Sequence, residues 1–211
     1  DGKLHIHTGV GNLGTYSHTG TSRVAAEVLK CDWSNCVVER GDSRKHLPWS
    51  LGQFGSNTSF TMTRSAYVGA MDALRKLKEI AATDFGGDPG EYDIGGGRVF
   101  LKSDPAKYLT YGAAATRAIE LGGKFSGYEA PDDINEMTKA SVTGLAGTGL
   151  IGVAKDNLEK SGTVPALAVG LMEIELDLET GRWEILDYVG VADCGTVIHP
   201  LGLSTQIKGG A

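Results

Sequence analysis

Two glycine-bearing loops run into helices within about 45 residues of each other, and loops of that kind bind anions. The first lies in "HTGVGNLGTYSHTGTSRVAAEVL", residues 7–29. There Gly9, Gly11 and Gly14 precede Ser17, His18 and Thr19, and Val24, Ala25, Val28 and Leu29 then recur at helical spacing. The second, "GQFGSNTS" at 52–59, offers the amides of Gly55, Ser56 and Asn57 and the hydroxyls of Ser56 and Ser59. A glycine turn that opens a helix presents backbone N–H groups at the positive end of the helix dipole, which suits a phosphate.

Other chemistries fit less well. Gly9 to Gly14 match G-x-G-x-x-G, but the acidic residue a dinucleotide fold needs would be Glu27, inside a helix rather than ending a second strand. No Gly-Lys-Ser/Thr follows either loop, so neither is a P-loop. Without a ligand, each loop would be an ordinary helix entry. His5 and His7 share one face of a strand, while His18, His46 and His199 stand apart, and no ligand-pair spacing marks a zinc site. Cys31 and Cys36 have ferredoxin-like C-x4-C spacing, yet such a cluster needs four thiolates and the chain has three cysteines, the last being Cys194. The acid pairs Asp132–Asp133 and Glu91–Asp93 read as solvated loop charges, and no G-x-S-x-G elbow is present.

The elements that must position these loops are readable in outline. A strand at 3–7 leads to a helix at 17–30, and "NCVVER" is a second strand. A loop spans 41–58, and a long helix then runs from about Ser59 to Ala82, with Tyr67, Ala70, Met71, Leu74 and Leu77 on one stripe and Thr58 or Ser59 as its cap. Residues 84–98 read as a turn-rich loop, "RVFLK" as a strand, and Thr110 as the cap of a helix ending at Leu121. The stretch "TGLAGTGLIG" carries no assignable role. Alternating Met172, Ile174 and Leu176, the "ETGR" turn, and Trp183, Ile185 and Leu186 predict a β-hairpin, followed by a loop bearing His199, Pro200 and Gln206.

The fold class is therefore mixed α+β, and 211 residues with 41% apolar content suffice for a buried core. A net charge of −6 argues against nucleic acid and anionic membrane surfaces as partners. No apolar run reaches the roughly 18 residues of a membrane span. A low, odd cysteine count suits a reducing compartment, so a cytoplasmic location is expected.

Read together, the segments resemble the molybdenum hydroxylases, the xanthine oxidase and aldehyde oxidase family, in the second half of their molybdopterin-binding large subunit. "GVGNLGTYSHT" corresponds to that family's first Gly-rich loop, which usually has a Gly-Gln-Gly core. "GQFGSNTSFTMTRSAYVGAMDALRKL" corresponds to its Gly-rich Ser loop and long helix. "VADCGTVIHPLGLSTQIKGGA" corresponds to a hairpin end with Asp-x-Gly, then Asn-Pro, then a Gln before small residues. The match covers roughly residues 1–82 and 164–211.

The resemblance implies that residues 1–211 form a single molybdopterin-binding subdomain, as a fragment or as one chain of a split large subunit. It also implies cofactor contacts at Asn12, Gly14 and Thr15, at Gln53, Phe54, Gly55, Ser56 and Asn57, and at His199 and Gln206. Where the family usually carries an acid and a Gln in the first loop, this chain has Asn12 and Thr15, and the usual Asn of the third loop is His199. The implied cofactor is molybdenum-molybdopterin in the cytosine dinucleotide form. FAD and iron–sulfur clusters are expected on partner subunits, with the remaining part of the large subunit as a further partner. The implied reaction is hydroxylation of an aldehyde or heteroaromatic carbon of a small-molecule substrate, with water as oxygen source. The family's catalytic base belongs to a segment well beyond the Gln, so no catalytic residue and no metal ligand is expected in this chain. The alternative is a non-catalytic nucleotide- or anion-binding or assembly module of the same fold.

Overall fold

The computed structural model describes residues 2–155 and 166–211, which divide into two compact units. The larger holds residues 2–11 and 17–155, and the smaller holds 12–16 and 166–211.

In the larger unit, strand β1 (Leu4–His7) pairs in parallel with β2 (Cys36–Glu39), and helix α1 (Ser17–Val28) is the crossover between them. Against α1 lies α2, a 28-residue helix from Thr58 to Phe85. Ala25 of α1 and Ala70, Ala73 and Ala81 of α2 are buried in this core with Leu29 and Leu77. Small side chains of this kind let two helix backbones approach closely. Of the stripe expected on α2, Ala70 and Leu77 are buried as predicted, whereas Tyr67 and Met71 are each 39% exposed and Ala73, Ile80 and Ala81 are buried instead. Periodicity locates a face only to within a residue when alanines and leucines compete for it.

The expected loop at 84–98 contains a strand, β3 (Tyr92–Gly95). Buried Tyr92 and Ile94 alternate with the more open Asp93 and Gly95, a two-residue period short enough for the surrounding glycines to hide. Next come β4 (Arg98–Leu101) and an unforeseen β5 (Asp104–Thr110), in an antiparallel sheet of order β3-β4-β5. Pro105 obscures β5 in the sequence, but β5 is an edge strand, where proline is tolerated. The fully buried Tyr92 ring still donates its hydroxyl to the Gly86 carbonyl at 2.6 Å. Thr110 caps α3 (Tyr111–Leu121) as the sequence predicts, its hydroxyl accepting from the Ala113 amide at 3.1 Å. A further helix, α4 (Glu136–Gly144), is capped by Asn135.

The glycine stretch without an assignable role packs on α2. A Cβ on Gly152 would lie 2.4 Å from the Gly69 carbonyl oxygen, so glycine alone admits this approach. Lys76, only 4% exposed, donates to the Ile151 carbonyl at 2.7 Å and pairs with Asp72 at 2.7 Å. Asp72 in turn accepts from the Val153 amide at 3.0 Å. Burial opposes ionisation of Asp72, but Lys76, the Val153 N–H and Arg75 outweigh it and hold the carboxyl below its ordinary range.

In the smaller unit, β6 (Leu167–Leu176) and β7 (Trp183–Asp193) form the expected hairpin, with Leu186 as an extra residue at a bulge. Asp177 closes its turn, accepting from the Glu179 and Thr180 amides at 2.9 and 3.2 Å. The segment expected as a loop after the hairpin is instead helix α5 (Pro200–Gly210). Proline at its first position and a side-chain cap start this helix, while Gly202, Gly209 and Gly210 disguise it in the sequence. Among the described residues, no helix is long and apolar enough to cross a membrane.

Replacing Lys76 with Ala strands the Asp72 carboxylate and opens a void, so urea unfolding should show a loss of about 3 kcal/mol. Because Asp72 titrates lower folded than unfolded, its contribution is fully present above about pH 4 and disappears as pH falls through the folded value. An unchanged urea midpoint in the Lys76→Ala protein would show that this clamp carries no stability.

Candidate functional site

The first loop closes on itself. Asn12 Oδ1 accepts from the Thr15 and Tyr16 amides, each at 3.1 Å, so this side chain holds the turn. Gly14 at φ 82° and Tyr16 at φ 56° both occupy the left-handed region. For a tyrosine this costs on the order of 1 kcal/mol, offset here by the Asn12 bond. The Tyr16 ring stacks on the His199 imidazole, with centroids 5.1 Å apart and planes 15° from parallel.

His199 is the N-cap of α5, its Nδ1 accepting from the Gly202 amide at 3.0 Å. A Cβ on Gly202 would sit 3.0 Å from the Thr15 carbonyl oxygen, so the first loop meets the first turn of α5 where the helix has no side chain. Gln206 follows four residues later and lies on the same helix face, exposed. The smaller unit thus brings the loop of Asn12, Gly14 and Thr15 to His199, with Gln206 one turn further along α5.

Gln53, Phe54, Gly55, Ser56 and Asn57 lie in the larger unit, immediately before α2. Gln53 is fixed by a hydrogen bond from its Nε2 to the Ser17 hydroxyl at the start of α1. Gly55 at φ 60° and Ser56 at φ 54° are left-handed, and Asn57 at φ −92°, ψ −14° is right-handed. Successive amides in such an alternation converge into an anion-binding nest. The expected capping of α2 by Thr58 or Ser59 is not what forms: Asn57 is the N-cap, and its side chain makes no capping bond. The amides of Thr58, Ser59 and Phe60 therefore lack intrahelical partners. Beside them, Asn57 Oδ1 is buried with no hydrogen-bond partner among the described residues. Phe54 and Phe60 are exposed at this helix entry, and Arg64 lies over the Phe60 ring at 5.4 Å.

This donor set fits a multi-anionic ligand rich in hydrogen-bonding groups. The second loop supplies uncapped amides and hydroxyls for phosphate, and the unpartnered Asn57 oxygen suits a ligand N–H. Sequence reasoning missed Tyr16, since nothing local distinguishes it before the stacking partner is known. It also missed the Thr58–Phe60 amides, which follow from the absence of a cap.

His18 and His7 serve structure. His18 Nε2 lies 2.9 Å from the Val10 carbonyl and its Nδ1 lies 2.6 Å from Arg40, an arrangement that needs the neutral ring. Burial, more than the nearby guanidinium, keeps its pKa below the usual value. His7 is likewise lowered by burial, against the pull of the Lys45 carbonyl. Among the described residues, no cluster of His, Cys, Asp or Glu has the arrangement to hold a metal ion.

Gly9 marks where the chain entering the first loop crosses the segment that leads to the second. A Cβ there would lie 2.1 Å from the Pro48 carbonyl oxygen, a backbone clash no side-chain motion relieves. Gly9→Ala should lower unfolding stability by about 2 kcal/mol. Wild-type stability in that variant would contradict the crossing.

Across residues 1–211 the chain matches a family model described as "Molybdopterin cofactor-binding domain". It is 24% identical over 210 residues to the 6-hydroxypseudooxynicotine dehydrogenase complex subunit gamma of Paenarthrobacter nicotinovorans, covering 100% of this chain and 24% of that subunit. Over 100 residues it is 32% identical to the aldehyde oxidoreductase molybdenum-binding subunit PaoC of Escherichia coli (strain K12), covering 47% of this chain and 13% of that protein. In fold it resembles the crystal structure of quinoline 2-oxidoreductase from Pseudomonas putida 86, with a TM-score of 0.60 at 21% identity, covering 100% of this chain and 24% of that one. The chain spans about a quarter of the length of the relatives it matches end to end. It belongs to the molybdopterin cofactor-binding domain family, with the mixed α+β fold that its likeness to the molybdenum hydroxylases implies.

Proposed function

We propose that this chain holds the molybdenum cofactor within the large subunit of a molybdenum hydroxylase, an oxidoreductase that hydroxylates an aldehyde or heteroaromatic carbon with water as the oxygen source. The observation that carries the reading is the entry to α2. A 28-residue helix begins with no side-chain cap, behind a left-handed Gly55–Ser56 pair and beside a buried, unpartnered Asn57 oxygen. When bound, the cofactor supplies the two-electron redox chemistry, and the chain supplies binding and orientation.

In this reading the amides from Gly55 to Phe60, with the Ser56 and Ser59 hydroxyls, bind phosphate. That favours the cytosine dinucleotide form, which carries more phosphate than the bare pterin. Phe54 shields the loop with its exposed ring, and Gln53 holds the loop to α1. Asn12, having used its oxygen within the loop, offers its Nδ2 hydrogens as donors. The backbone at Gly14 and Thr15, with His199 and Gln206, contributes the remaining pterin contacts.

In this reading the electron path runs outside residues 1–211. Three cysteines are too few for an iron–sulfur cluster within residues 1–211, and in this reading the clusters and FAD sit on partner subunits, beside the remaining part of the large subunit. That one relative is named as the gamma subunit of a complex supports a multi-subunit assembly. Three free cysteines support a cytoplasmic location.

Two variants test the assignments through the amount of bound pterin in the purified assembly. Gly55→Val forces a β-branched residue into the left-handed region and should reduce bound pterin at least tenfold, while far-UV circular dichroism keeps the helical signal. Gln206→Ala should weaken retention several-fold, in keeping with the loss of one or two hydrogen bonds. A full pterin load in Gly55→Val would remove the second loop from the site, and unchanged retention in Gln206→Ala would remove that contact.

A further inference from the structure

The stacked pair in the smaller unit has a chemical consequence for the ligand. A neutral imidazole has one nitrogen lone pair and one N–H. In His199 the lone pair is engaged, because Nδ1 accepts from the Gly202 amide at 3.0 Å. The proton is therefore on Nε2, and among the described residues that N–H has no partner. Toward a ligand, His199 in this arrangement presents a donor alone.

A side chain with two tautomers and a rotatable ring is a fixed donor only if something holds it. Tyr16 is placed to do so. Its ring lies 5.1 Å from the imidazole at an interplanar angle of 15°, so rotation of the His199 ring out of this plane loses the stacked face. Tyr16 itself is pinned by its own amide on Asn12 Oδ1 at 3.1 Å, in a left-handed conformation that a tyrosine does not adopt unaided. The chain of support runs from Asn12 to Tyr16 to His199, and all three residues belong to one unit.

We propose that Tyr16 is a positioning residue that holds the His199 imidazole so that its Nε2–H is a fixed hydrogen-bond donor to an acceptor oxygen of the bound pterin cofactor. This rests on the cofactor-binding reading above, but the positioning itself is testable without any cofactor.

The probe is diethyl pyrocarbonate, which acylates an imidazole at a nitrogen with a free lone pair. The intact protein, with its co-purifying chains, is produced in cells unable to make the pterin, and modification of His199 is followed by peptide mass spectrometry. Wild-type His199 should react slowly because its lone pair is held by Gly202. Tyr16→Ala should raise the rate several-fold, up to about tenfold for the loss of one aromatic pair, and Tyr16→Phe should react as slowly as wild type. Equal rates in all three proteins overturn the positioning role, and an equal rise in both variants overturns stacking as its cause.

In pterin-producing cells the same variants are assayed for bound pterin. Loss in Tyr16→Ala with retention in Tyr16→Phe is the expected result. A full load in Tyr16→Ala overturns the claim that the fixed donor serves the cofactor. The pterin-free measurement stands apart from this one, so failure of the cofactor reading and failure of the positioning role are separable.

Discussion

A helix cannot satisfy its own first amides, and the N-terminus of α2 has no side-chain cap for them. Asn57 occupies the capping position without capping, and its oxygen is buried without a donor among the described residues. A buried, unpartnered oxygen is unfavourable in a loop that serves only to enter a helix. Both features become intelligible when a ligand supplies anionic oxygens for the amides and an N–H for the oxygen. The rest of the larger unit holds that helix end in place. α2 crosses α1 through small residues, carries the Lys76–Asp72 clamp in its middle, and meets the three-stranded sheet through Leu77, Ala81, Tyr92 and Ile94.

The smaller unit solves a related problem with different parts. Its helix α5 does have a cap, but the cap is an imidazole whose second nitrogen is unengaged among the described residues. Gly202 lets the first loop come against the helix, and Tyr16 stacks on the cap. One helix start is left open for phosphate, while the other is closed by a side chain that itself presents a donor. Each unit by itself offers hydrogen-bonding groups of the kind a polar cofactor needs.

The glycine loops, the long helix, the Thr110 cap and the hairpin were legible in the sequence, because glycine clustering, helical periodicity and strict alternation are local signals. The fold class followed from these elements, and the family from the resemblance of three loop segments to known sequences. What stayed hidden depended on tertiary contact. β3 and β5 were masked by glycines and by Pro105, whose tolerance at an edge depends on knowing that β5 is one. The segment around Gly152 had no reading until Lys76 and Asp72 were seen to grip it. Gln206 was recognised as a site candidate but expected in a loop, since the glycines of α5 argue against a helix unless the His199–Pro200 start is given more weight. Tyr16 carried no signal at all: its partner lies 183 positions away.

In the proposed function, the open start of α2 holds a molybdenum-bearing pterin. Elemental analysis with pterin extraction, on freshly isolated protein together with whatever chains co-purify, tests it most directly. The account predicts close to one molybdenum per assembly, accompanied by a pterin released with a cytidine nucleotide. An intact assembly containing neither molybdenum nor pterin would contradict it.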